Sequence, residues 1–168
     1  MQGRGFTLIE LSMALAVLAV LAGLAVPGLG EFIRDCQRTA TVNGLVHGIY
    51  TARRLAALSG RQVELCPTRD GRSCTGDRAW EGDLLLRPRG DSDLLPRVLP
   101  SPPRSSTQAI RANRDALTFT PLRPAATTAT FTVCDDRGAR AAVSVIVSRT
   151  GRPRVAQRDG SGQPLVCP

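Results

Sequence analysis

The chain has 168 residues and a formal net charge of +8, with 22 arginines and no lysine. One Trp, one Tyr and four Phe stand against 16 Gly and 12 Pro, so the core is small and loops are many. That excludes a large multidomain enzyme and leaves an anchor plus one domain of about 110 residues.

The first predicted element begins inside Gly3-Arg4-Gly5-Phe6-Thr7-Leu8-Ile9-Glu10. A short basic leader ends at Gly5, and an apolar segment starts abruptly at Phe6. From Leu11 to Leu29 there is no charge and Ser12 is the one polar side chain, about the 20 residues a helix needs to cross a bilayer. Glu10 lies within this segment, where a lone carboxylate costs roughly 2.5–3.5 kcal/mol on insertion scales. A cleaved signal peptide carries its charge ahead of the apolar core, and a generic anchor explains the length but not the Gly5/Phe6 boundary. A cut between Gly5 and Phe6 explains both. The new amino group of Phe6 then lies near Glu10 of a neighbouring copy, and the opposite charges neutralise each other in a dry helical bundle.

This eight-residue stretch resembles the processing motif of type IV pilins and type II secretion pseudopilins. The resemblance implies that a prepilin peptidase cuts after Gly5, that Phe6 is N-methylated, and that Glu10 guides assembly. It also implies an α+β pilin-like fold, in which a long N-terminal helix packs its second half on a small antiparallel β domain. The boundaries expected are residues 1–5 for the leader, 6–30 for the transmembrane helix and 31–168 for a periplasmic domain, helical to about residue 59.

The residues agree with that layout. Pro27, Gly28 and Gly30 loosen the helix without ending it. Apolar positions resume at Phe32 and Ile33, and residues 45, 49, 52 and 56 share one helical face. Ser59-Gly60 is the expected C-terminal cap. The period then changes to two. Residues 62–66 alternate as a half-buried strand does, and 83–87 form a second strand just after Trp80. Residues 88–107 hold five Pro and read as a long loop. Further strands are expected at 116–120, 129–134 and 140–148. Residues 135–138 and 149–151 are turns. A last strand, 152–156, is weakened by Pro153 and so belongs at a sheet edge.

Five cysteines on an exported domain imply an oxidising compartment. They can form two bridges with one left over in more ways than sequence alone can decide. Spacing favours Cys66–Cys74 across a short turn-rich loop, and Cys134–Cys167 tying down the tail, with Cys36 unpaired. Their spacing lacks the paired Cys-x-x-Cys of a zinc site. The single His, His47, reads as a residue of the amphipathic helix, and Ser59, Ser144 and Ser148 show no base in sequence to activate them. Asp135-Asp136 read as turn formers beside Gly138, and Gly151-Arg152-Pro153-Arg154 is not a Walker loop. The expectation is a non-enzyme with no cofactor and no metal.

Val63 to Pro67, Cys74, Trp80, Gly82, Leu84 to Leu86, Phe131 to Asp135 and residues 143–154 narrow the resemblance to FimT/GspH-like minor pilins. Gly82-Asp83 stands where a Gly-Trp is common in that family. Arg149, Arg152, Arg154 and Arg158 gather around a predicted hairpin, with Arg137 and Arg140 nearby in sequence. Gly151-Arg152-Pro153-Arg154 also matches the Gly-Arg-x-Arg motif of FimT-like pilins that bind DNA in natural transformation. The plain alternative is a solvated basic face. Three functions compete: a type IV minor pilin that can also capture double-stranded DNA, a type II secretion pseudopilin with no DNA role, and an anchored binding domain that never polymerises. Glu10 and the Gly5/Phe6 boundary speak against the third. The implied partners are other pilin or pseudopilin subunits, the prepilin peptidase and an inner-membrane assembly platform. The implied location is the bacterial inner membrane, spanned once, with the C-terminal domain in the periplasm.

Overall fold

The computed structural model describes residues 7–90, 95–101, 107–121 and 125–167, leaving aside the side chains of 24–27. The chain divides into two compact units, Met1–Cys36 and Gln37–Pro168. Helix α1, Leu8–Ser59, runs through both.

In the first unit α1 carries no charged side chain from Leu11 to Gly23, and Leu11, Met13, Leu15, Leu18 and Leu21 are all exposed. A continuous apolar surface of this size marks a membrane or protein interface. Among the described residues no single helix is long and apolar enough to cross a membrane. The segments Leu8–Gly23 and Gly28–Ser59, bent by 42°, meet that requirement together. Pro27 lies at the break and has no N–H to give the carbonyl one turn back, an ordinary cause of such a bend.

The second unit is built on the amphipathic half of α1. Val42, Leu45, Ile49, Ala52 and Ala56 are buried along one stripe, at the spacing of successive helical turns. The helix stops at Ser59, and Gly60 follows with φ of 65°, a left-handed conformation that only Gly adopts without strain.

Among the described residues eight strands follow: β1 Val63–Thr68, β2 Asp83–Pro88, β3 Arg97–Leu99, β4 Ala109–Ala112, β5 Leu117–Phe119, β6 Ala129–Cys134, β7 Val143–Val147 and β8 Pro153–Ala156. They form two antiparallel sheets, ordered β3-β2-β1-β5 and β4-β6-β7-β8. The α1 stripe and the inner faces of both sheets share one core, with Leu65, Leu86, Phe119, Phe131 and Val145 near its centre. Trp80 meets Phe131 edge to face at 4.7 Å, and its Nε1 donates to the Arg114 carbonyl at 2.8 Å, so the indole is buried without losing its hydrogen bond.

Three expectations need correction. All six β1 residues are buried, where alternation suggested a half-buried strand. β1 lies between β2 and β5. Val63 and Leu65 enter the core, Arg87 covers Glu64 with an ion pair of 2.6 Å, and the Cys74 bridge covers Cys66. Second, residues 88–107 are not wholly loop, because β3 pairs along β2. Third, β4 was not anticipated. It places Ile110 and Ala112 in the core beside Trp80. Residues 91–94 and 102–106 of the Pro-rich stretch lie outside the described residues.

Candidate functional site

Residues 1–6, and so the Gly5/Phe6 boundary, lie outside the described residues. Glu10 lies within them. Its Oε2 accepts hydrogen bonds from the Thr7 backbone N and the Thr7 Oγ1, both at 2.9 Å, and Thr7 Oγ1 accepts from the Glu10 N–H at 3.3 Å. This reciprocal arrangement is a capping box, which satisfies otherwise orphaned donors at the start of a helix. Its sequence signal is Thr7-x-x-Glu10 at the head of an apolar run.

The bridges are Cys66–Cys74 and Cys134–Cys167. Cys36 is an exposed free thiol. The second bridge fastens the chain end to β6, and Leu165 is buried with Cys134 and Ala142 in a small satellite core. The tail between them lies over the outer face of the second sheet. There Ser144 Oγ lies 3.0 Å from the Ala156 carbonyl and 2.5 Å from that of Arg158.

The hairpin β7–β8 reverses at Arg149–Thr150–Gly151. Ser148 N donates to the Arg152 carbonyl and Gly151 N to that of Ser148. The turn is pinned to the first sheet, because Ala126 N donates to the Arg149 carbonyl at 2.7 Å. Gly151 is buried with φ of 71°, and any Cβ there would sit 3.2 Å from Phe119 Cε1. Its part is to shape the turn. Arg149 and Arg152 beside the turn and Arg154 on β8 are all exposed, and β8 is an edge strand, as Pro153 suggested.

The other arginines of the predicted cluster separate. Arg158 is exposed, but its Nη1 donates to the Gly162 carbonyl at 3.0 Å, inside the tail loop. Arg137 turns inward: its Nη2 is 2.7 Å from Asp135 Oδ2, and both side chains are nearly buried. Hydrogen bonds from Arg137 hold the Asp135 carboxyl below its ordinary range despite burial, with lesser help from the charge of Arg38. Arg140 is exposed in the 3-10 turn Gly138–Ala141, which precedes β7 and so lies at the opposite end of that strand from the hairpin turn. Another arginine, at the opposite edge of the second sheet, shares a groove with Arg154 instead. Arg111 on β4 and Arg154 on β8 line one open groove of about 750 Å3, with Thr130, Thr132, Ile146 and Ser148. Arg111 is also 3.6 Å from Glu81. Strand order alone makes this pairing, so nothing in the sequence near Arg154 could have announced it. Among the described residues no group of His, Cys, Asp and Glu is placed to hold a metal ion.

This hairpin-edged sheet on a helix with an apolar first half can be compared with known proteins. A family model for the type II transport protein GspH matches residues 41–151. The chain belongs to the GspH family. A model of the prokaryotic N-terminal methylation motif matches residues 1–26 of this GspH-family chain. Fimbrial protein Q of Moraxella bovis is 37% identical over 62 residues, which is 37% of this chain and 39% of that protein. A fimbrial protein of Pseudomonas aeruginosa is 35% identical over 60 residues, 36% of this chain and 38% of that one. The chain thus spans about two fifths of the curated relatives it matches. Two crystal structures of the type IV minor pilin FimU from P. aeruginosa PAO1 superpose with TM-scores of 0.57 and 0.53, at 19% and 17% identity. They cover 77% and 74% of this chain and 96% and 97% of theirs. That likeness is one of fold: the α+β minor-pilin fold. The chain is a pilin-like, GspH-type subunit carrying an N-terminal methylation motif.

Proposed function

We propose that this protein is a membrane-anchored structural subunit of a pilus or of a type II secretion pseudopilus. In this reading a prepilin peptidase removes residues 1–5, and Phe6 becomes a methylated N-terminus. The apolar half of α1 anchors the chain in the inner membrane and later lines the filament, with the β domain outside. The observation that carries the reading is the methylation motif at 1–26 joined to a GspH domain at 41–151 through an apolar helix whose side chains are exposed. Glu10 then has two tasks. Within one chain it caps the helix with Thr7. Between chains its carboxylate neutralises the amino group of a neighbour's Phe6, because two opposite charges leave water more cheaply together than one alone. Other subunits and the assembly platform are the partners.

Intact-mass analysis of membrane-extracted protein tests this. The expected mass is that of a chain starting at Phe6 with one added methyl group. A retained Met1, or a cut near Ala25, would overturn the reading.

A second role, capture of double-stranded DNA, is favoured by Arg149, Arg152 and Arg154 standing exposed around one turn. Three guanidinium forks within six residues suit phosphates, which they can hold bidentately.

A further inference from the structure

The groove on the outer face of the second sheet has no part in the subunit role. It holds about 750 Å3, inside the range of ligand sites, and lies within the Gln37–Pro168 unit. Its floor is hydroxylic. Thr128, Thr130 and Thr132 line it at the two-residue period that puts side chains on one face of an extended chain, with Ser148 beside them. The three threonine hydroxyls make no hydrogen bond to another described residue. Arg111 and Arg154 line it from opposite edge strands, β4 and β8. Through the pairs Arg111↔Thr132, Thr130↔Ile146 and Ile146↔Arg154, three strand spacings separate them, roughly 15 Å. Arg154 has no carboxylate partner among the described residues. The contact of 3.6 Å between Arg111 and Glu81 is exposed, so it yields readily to a ligand. One wall is the tail loop. Gly160 lies so near the floor that a Cβ there would sit 2.9 Å from Thr130 Oγ1, and the Cys134–Cys167 bridge fastens the far end of the tail. Asp159 Oδ1 accepts from Ser161 Oγ, Gln163 N and Ser161 N. These bonds, the Ser161 hydroxyl foremost, hold its carboxyl below the ordinary range, so the wall presents an ionised acceptor.

A ligand for this groove must bring negative charge to the two guanidinium forks and hydroxyl donors to Asp159 and the threonines. The phosphate backbone of a DNA duplex brings acceptors only and leaves Asp159 facing like charge. A single strand finds no aromatic ring to stack on among the described lining residues. An apolar peptide finds Ile146 as the one large apolar side chain half open on the floor. A neutral sugar supplies hydroxyls but makes no use of the arginines. A chain of sugar rings bearing carboxylates supplies both. Its carboxylates pair with Arg111 and Arg154, and its hydroxyls donate to Asp159 and exchange hydrogen bonds with the threonines. The span of roughly 15 Å between the arginines is longer than one ring, so the ligand is an oligomer. We propose that the Arg111–Arg154 groove binds an acidic polysaccharide, a uronic-acid chain lying across the strands of the second sheet above the threonine row. The bridge and the Asp159 loop hold the wall in place beforehand, which lowers the ordering cost of binding. Nothing in this site depends on the anchor, and it shares only Arg154 with the hairpin arginines.

Calorimetric titration of the full chain in detergent micelles tests this. The probes are a short oligogalacturonate, a neutral maltooligosaccharide of the same length, and polyglutamate and duplex DNA at matched charge. The uronate should bind at low salt and the neutral chain should not. Polyglutamate lacks hydroxyls and should bind roughly tenfold more weakly. Arg111→Gln with Arg154→Gln removes two charge-assisted pairs and should weaken uronate binding about a hundredfold. Thr130→Val with Thr132→Val keeps the branched shape that strands favour. It should weaken the uronate roughly tenfold and leave polyglutamate unchanged, a difference that charge alone would not produce. Arg149→Gln with Arg152→Gln, at residues that do not line the groove, should change uronate binding by no more than about twofold. The substituted side chains are all at least partly exposed, so the thermal midpoints should stay near the parent's. Uronate binding that is absent, that survives loss of Arg111 and Arg154, or that falls as far with the hairpin pair overturns the proposal. So does polyglutamate or duplex DNA binding as tightly as the uronate with no effect of the threonine pair, which would make the groove a general anion surface.

Discussion

The two turns that flank β7 are built from the same residues to opposite ends. The turn before it holds Arg137 and Arg140, and the turn after it holds Arg149 and Arg152. In the first, Arg137 is spent inward on a nearly buried pair with Asp135. In the second, Gly151 is the buried residue and the arginines stand in water. Charge composition alone treats these guanidinium groups as equivalent. Burial sorts them into one that holds the fold and several that are available to a ligand. That sorting predicts which substitutions unfold the domain and which change only what it binds.

The largest effect should come from Asp135→Ala. It removes the carboxylate paired with the nearly buried Arg137 charge, a change that costs about 3–5 kcal/mol. Denaturant unfolding at neutral pH measures it. The pH dependence has a definite sign. The folded-state pKa of Asp135 is depressed, so the pair's contribution is complete above the unfolded carboxyl value of about 3.9. It is lost as pH falls from there through the folded value. The gap between parent and variant should therefore close in acid. A gap that stays constant to low pH would mean that packing, not charge, carries the effect. Arg140→Gln, at the exposed site of the same turn, should stay within about 0.5 kcal/mol of the parent.

Cys134→Ser should come next. The bridge closes a separation of 33 residues, worth about 3–4 kcal/mol in the chain-entropy picture. Its loss frees the tail and Leu165 with it. Proteolysis read by mass should then begin in residues 157–167. Loss of stability without early tail cleavage would count against the tether. Gly151→Ala tests the second turn at a smaller scale. A left-handed φ costs a non-glycine residue about 1–2 kcal/mol, and the new methyl would press on Phe119 at 3.2 Å. The variant should lose about 1–3 kcal/mol in the same unfolding assay. An unchanged midpoint would show that the turn relaxes freely.

Much of this contrast was legible beforehand because it follows from period and punctuation. The α1 stripe at 45, 49, 52 and 56, the hairpin ends at 149–151 and the edge position of Pro153 are local properties, fixed by helical spacing, turn chemistry and a missing N–H. Three-residue β3 lies in a Pro-rich stretch whose apolar content is too low to signal a strand, and pairing with β2 makes it one. β4 reads Ala-Ile-Arg-Ala, and small side chains with weak strand preference announce little. What sequence distance concealed at the site was partnership. Arg140 is twelve residues from Arg152 but at the far end of a strand. Arg111 is forty-three residues from Arg154 and lines the same groove. Arg137 was grouped with the exposed cluster because nothing local says that a turn Asp is nearly buried beside it.

The smallest effect on the fold should be the most informative about function. Arg152→Gln with Arg154→Gln removes two exposed charges, so stability should move by no more than about 0.5 kcal/mol. If the hairpin binds DNA, the protein should bind duplexes of any sequence, because phosphates position a ligand without specifying it. Each phosphate neutralised contributes about 0.9 to the slope of log affinity against log salt, so the double variant should flatten that slope by about two. Arg72→Gln with Arg78→Gln, two exposed charges beside the Cys66–Cys74 loop, serves as the matched control and should change it less. Equal flattening from both pairs would reduce the result to net charge. A hairpin variant that binds like the parent would remove DNA from the account and leave the exposed turn to contacts with neighbouring subunits.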